Sequence, residues 1–132
     1  MMEILQPPGW PRPKGYSNGV AASGRQVFVS GMVGWDADCT FHTDDFVAQA
    51  RQALENIVAV LREAGAGPEH IVRMTWYVLE RREYLDAGAA LGAAYRDVIG
   101  RHYPAMSAVQ VAGLMEARAR VEIEVTAVVP VA

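Results

Sequence analysis

The side chains able to carry acid–base chemistry stand late in the chain. Val121-Glu122-Ile123-Glu124 places Glu122 between two apolar residues at strand spacing. A carboxylate partly buried in that way suits proton transfer through water. The competing readings are a solvent-facing glutamate, or an ion pair with Arg118 or Arg120 of another subunit. Ser30 ends an apolar run beside Gly31 and could donate a hydrogen bond into a cleft. It has no Gly-x-Ser-x-Gly elbow and no histidine close in sequence, which argues against a hydrolytic nucleophile. Cys39 is the only cysteine, so no internal disulfide forms. Its acidic neighbours Asp36 and Asp38 disfavour a thiolate. His42, His70 and His102 lie far apart and form no metal-ligand pattern, so no metal is expected. Neither Gly31-x-x-Gly34 nor Gly65-x-Gly67 matches a phosphate loop or a dinucleotide fingerprint.

The elements that must position these groups follow from periodicity and punctuation. Residues 1–18 carry Pro7, Pro8, Pro11 and Pro13 and read as an irregular arm anchored by Trp10 and Tyr16. Val20 to Ala22 and Gln26 to Ser30 read as a β-hairpin turning at Ser23-Gly24-Arg25. Gly31 and Gly34 then mark a bulge, or a place where another group approaches the backbone. Thr43 to Ala64 is a helix capped by Thr43 and stopped by Gly65, Gly67 and Pro68. Its apolar stripe runs through Phe46, Ala50, Leu54, Ile57 and Leu61, and Gln49, Arg51, Gln52 and Glu55 belong to a solvated face. Ile71 to Leu79 is a central strand, and a second helix runs from about Glu83 to Ile99. Ser107 to Ala112 and Ala119 to Val129 are the last strands.

The predicted order is β-β-α-β-α-β-β, an α+β two-layer sandwich with two helices on one face of a mixed sheet. In the last strand Val121, Ile123, Val125, Ala127 and Val129 face the helices. Arg120, Glu122, Glu124 and Thr126 face the other way, where Phe28 and Trp76 would add apolar surface. A homo-oligomer would cover such a face.

The whole chain, 132 residues with 52% hydrophobic and 20% charged side chains, suits one globular domain spanning 1–132. Its net charge of -3 and lack of any Lys/Arg run argue against nucleic acid as a partner. No secretory signal and no apolar run of bilayer length are read, so the expected setting is cytoplasmic with no membrane association.

Across nearly its whole length the sequence resembles the RidA/YjgF family. The resemblance rests on Lys14-Gly15-Tyr16-Ser17-Asn18-Gly19, Val29-Ser30-Gly31-Met32-Val33-Gly34, the helix Gln49 to Ile57, Tyr103-Pro104-Ala105 and Val121-Glu122-Ile123-Glu124. It implies a chorismate-mutase-like sandwich and a homotrimer with a small-molecule cleft at each subunit junction. It also implies hydrolysis of 2-aminoacrylate and related imines to 2-keto acids and ammonia, without cofactor or metal. Carried over by position, Tyr16 and Glu122 would be catalytic, and Ser30 and Gly31 would bind substrate. Three positions depart from the family. Met106 stands where an arginine normally grips the substrate carboxylate, Ala108 where a cysteine is frequent, and Gly88 where an asparagine is frequent. A thioether cannot replace a guanidinium, and losing it removes charge-assisted hydrogen bonds worth roughly 1.5–3 kcal/mol each. It can line an apolar pocket. Arg25 and Arg73 are candidates to supply the missing charge. The alternative reading is a trimer of the same fold that binds a small metabolite without turning it over. Endoribonuclease or translation-inhibitor activity, also associated with the family, ranks third because the chain is acidic, with a pI near 5.6.

Overall fold

The computed structural model describes residues 2–131. Its elements are β1 (Met2–Leu5), β2 (Gly19–Ala22), β3 (Arg25–Val33), α1 (Phe46–Glu63), β4 (Ile71–Val78), α2 (Arg81–Val98), β5 (Ala105–Gln110) and β6 (Val121–Val129). A single 3-10 turn, Pro68–His70, leads into β4. The main sheet has the order β3-β6-β4-β5. β6 runs antiparallel to both neighbours, and β4 and β5 are parallel. Both long helices lie on one face, giving the α+β, chorismate-mutase-like sandwich.

Alternation decides which side chains enter the core. Val121, Ile123, Val125 and Ala127 of β6 are buried against Leu54, Ile57 and Leu61 of α1. Full burial of each valine, leucine or isoleucine among them contributes roughly 1.5–3 kcal/mol. α1 begins at Asp45, not at Thr43: the Asp45 carboxylate accepts from Ala48 N–H, and Thr43 Oγ1 accepts from Asp45 N–H. It ends as expected at Gly65, whose φ of 70° lets Gly65 N–H reach the Arg62 carbonyl and Ala66 N–H the Leu61 carbonyl.

Four expectations are corrected. The hairpin between the second and third strands does not form: β2 pairs with β1, Ile4 opposite Val20, and β3 pairs with β6. Gly24 stands where the chain turns away from β2: its φ is 146°, and a Cβ there would lie 2.2 Å from the Val129 carbonyl oxygen, so only glycine lets the chain pass this close to the end of β6 as β3 joins it. The N-terminal arm accordingly contains a strand, β1. Trp76 does not lie on the face opposite the helices. It is 2% exposed and packs with Met74 and Val78 in the core, which leaves Phe28 (71% exposed) as the large apolar group on the open face. Gln49 is not solvated. It is fully buried, donates to the Thr43 and Arg118 carbonyls and accepts from Arg120 N–H, tying α1 to the segment before β6. Gly34 makes room for it: a Cβ there would sit 2.6 Å from Gln49 Cα.

Candidate functional site

Glu122 is positioned by a bulge. β3 pairs Val29 with Val125 and then Met32 with Ile123, so Ser30 and Gly31 together face Glu124. The bulge keeps Val29 and Met32 turned to the core. It also exposes the Gly31 backbone to the side chain of Glu122. A Cβ on Gly31 would fall 2.0 Å from Glu122 Oε2 and 2.7 Å from its Cδ. The carboxylate therefore rests on Gly31, and only glycine leaves that space.

The two glutamates of β6 differ in their partners. Tyr77 Oη donates to Glu124 Oε1 at 2.5 Å. That bond pushes the Tyr77 phenol above its ordinary range, because the phenol proton is held by the carboxylate. Glu122 has no hydrogen-bond or ion-pair partner among the described residues. Arg118 pairs with Asp44, and Arg120 makes a two-pronged contact with Glu83 at the start of α2. Both guanidinium groups are thus engaged within the chain. On this open face Ser30 lines a shallow groove with Phe28, Arg73, Thr75, Glu124 and Thr126.

Met106 looks the other way. It pairs in register with Met74 and packs against the helix-side core. It lines a cavity of about 260 Å³ with Gly15, Trp76, Tyr84, Leu85, Gly88, Leu91, Gly92, Tyr95, Arg96 and Tyr103. Gly88 shapes this cavity: at φ 46° and ψ -118° it breaks α2 and leaves open space where a side chain would begin. Tyr95 and Tyr103 stack at 5.6 Å across one wall, and the Tyr95 phenol donates to the His102 carbonyl. Burial pushes that phenol well above its usual range. Ala108 follows Met106 on the same face, exposed on the edge strand and outside the cavity lining.

Tyr16 is placed by its neighbour. Ser17 N–H donates to the Pro104 carbonyl at 3.0 Å and Ser17 Oγ to the Tyr103 carbonyl, fixing residues 15–17 along the start of β5. Gly15 reaches the Met106 cavity. Tyr16, 39% exposed, instead lines a groove with Arg12, Arg101 and His102.

The seven expected site residues therefore form two groups in one chain. Ser30, Gly31 and Glu122 occupy the open face of the sheet. Met106 and Gly88 share the cavity on the helix face, with Ala108 and Tyr16 beside it. Arg25 is not free to enter that cavity, since it donates to the Ala64 carbonyl at the end of α1. Arg73 sits on the open face. Arg96 was not singled out by the sequence, yet it lines the Met106 cavity. Its signal was the small residue Gly92 one helical turn earlier.

Comparison with known proteins bears on the chain as a whole. The family described as Endoribonuclease L-PSP matches residues 11–129. A RutC family protein of Synechocystis is 33% identical over 132 residues, covering 98% of each chain. A protein of Salmonella typhimurium named 2-iminobutanoate/2-iminopropanoate deaminase is 34% identical over 108 residues, covering 80% of each chain. The crystal structure of the Rid-family protein YyfB from Yersinia pestis, described as of unknown function, superposes with a TM-score of 0.85 at 30% identity, covering 97% of this chain and 98% of that one. With a family model matching nearly the whole chain, relatives at 33–34% identity and a solved Rid-family structure sharing the sandwich, the chain belongs to the RidA/YjgF family.

Proposed function

We propose that the chain hydrolyses small imines and enamines of the 2-aminoacrylate type to the 2-keto acid and ammonia, with Glu122 orienting the water. The observation that carries this reading is the Glu122 carboxylate, seated on Gly31 and free of partners while Glu124 is held by Tyr77. An enamine substrate first tautomerises to its imine. The water oxygen then bonds to the C=N carbon as its proton passes through Glu122 to the nitrogen. As the tetrahedral adduct collapses, its hydroxyl proton passes to the nitrogen through Glu122, the C–N bond breaks, ammonia leaves and the carbonyl remains. The Salmonella relative's name supports this reaction class.

The division of the candidate residues supports a homotrimer in which the open face of one subunit meets the Met106 edge of the next. In that arrangement each cleft combines Glu122, Ser30 and Gly31 of one copy with Met106 and Gly88 of another. It would also cover Phe28. Among the described residues no helix is long and apolar enough to cross a membrane; the reading places this chemistry in the cytoplasm. Met106 favours a second reading, a trimer that binds a small metabolite without turnover. The two separate on one variant. Deaminase turnover that disappears in Glu122→Gln supports catalysis. Ligand binding with no turnover in either protein supports the binding module.

A further inference from the structure

We infer that Arg96 supplies the anion recognition that Met106 does not, so that the cavity accepts a carboxylate bearing an apolar or aromatic side chain. This rests on the reading above only in taking the Met106 cavity as the place where substrate sits. Three observations carry it. Arg96 lines the cavity and forms no ion pair with any described residue, whereas Arg51, Arg82, Arg118 and Arg120 each pair with a carboxylate. Its guanidinium folds over Gly92, where a Cβ would lie 3.2 Å from one terminal nitrogen, so the small residue leaves the path toward the cavity open. The remaining wall is apolar or aromatic: Leu85, Leu91, Met106, Trp76 and the stacked Tyr95–Tyr103 pair.

The chemistry follows from that arrangement. An arginine keeps its charge and offers a planar fork suited to a carboxylate. Set at one end of a low-polarity cavity, it fixes the anionic end of a ligand and directs the rest onto the apolar wall. An arginine at position 106 would draw the anion to the edge strand. Arg96 draws it toward α2, and the cavity volume beside Met106 is left for a larger side chain than that of 2-aminoacrylate. The break in α2 at Gly88 widens the same wall.

The test is calorimetric titration of the intact protein with phenylacetate, its neutral isostere phenylacetamide, and acetate. Phenylacetate is expected to bind at least about tenfold more tightly than either, the factor at the low end of what a hydrogen bond to a charged group is worth. Arg96→Gln is expected to bring phenylacetate to the level of phenylacetamide and leave phenylacetamide unchanged. Equal binding of acid and amide to the wild type, no binding of either, or a preference that survives Arg96→Gln would overturn the inference. Turnover of 2-aminoacrylate is read separately. Its absence, with the Arg96-dependent preference intact, removes the deaminase reading alone.

Discussion

Replacing Gly31 with alanine isolates the contact on which the candidate chemistry depends. The new Cβ would lie 2.0 Å from Glu122 Oε2, and such contacts do not close below 3.0 Å, so the carboxylate must retreat by about 1 Å or more. Gly31 does not have a positive φ, so alanine adds no left-handed strain. The displaced group is the end of a flexible side chain on the open face, so folding should be nearly unaffected. Catalysis should not be spared, because a displacement of about 1 Å in an active site costs roughly a hundredfold, or about 2.7 kcal/mol of barrier. Gly31→Ala should therefore unfold in urea within about 0.5 kcal/mol of the wild type, while kcat/KM for 2-aminoacrylate falls roughly a hundredfold. Gly34→Ala provides the contrast. Its Cβ would meet the Cα and carbonyl oxygen of Gln49, which are backbone and cannot swing away. It should lose about 1–3 kcal/mol of stability. A Gly31→Ala protein with turnover within threefold of the wild type would refute the idea that the Glu122 position matters.

Gln49→Leu leaves the Thr43 and Arg118 carbonyls and the Arg120 N–H without their partner. It should cost about 2–4 kcal/mol in equilibrium unfolding, and a loss below 1 kcal/mol would show that water replaces the amide. Asp36 accepts from His42, Thr40 N–H and Asp38 N–H, and the His42 bond above all holds its carboxyl below the usual 3.8. A depressed carboxylate stabilises the fold above its unfolded value and loses that contribution as pH falls through the lower folded one. NMR titration should give a midpoint below 3.8, moving up in His42→Ala; an unmoved midpoint would assign the effect to the backbone donors instead.

The legible parts of this sequence were those set by local rules. The stripe through Ala50, Leu54, Ile57 and Leu61, the stop at Gly65, and the inward face of β6 each follow from one segment alone. The role of Gly31 as a bulge and close-approach residue was also readable. What escaped was set by distant chain. A Ser-Gly-Arg turn looks like a hairpin until the Val129 carbonyl is placed against Gly24. Gln49 looks solvated on a helical wheel, because nothing local reveals the Thr43, Arg118 and Arg120 backbone groups that bury it. Glu122 and Met106 are both named by the family pattern. The sequence pattern does not state that they lie on opposite faces of the sheet. The cross-strand register does, with Tyr77 opposite Glu122 and Met74 opposite Met106. Arg96 was hidden for a related reason: a charged residue on a helix reads as solvated until a cavity is found beneath it.

The most direct measurement is ammonia release from enzymatically generated 2-aminoacrylate by the wild type, Glu122→Gln and Met106→Arg. The account predicts a wild-type rate above buffer that Glu122→Gln reduces to background. A wild type at the buffer rate beside an active Met106→Arg would contradict it, because the fold would then hold competent catalytic machinery that this chain, with methionine at 106, does not use for that reaction.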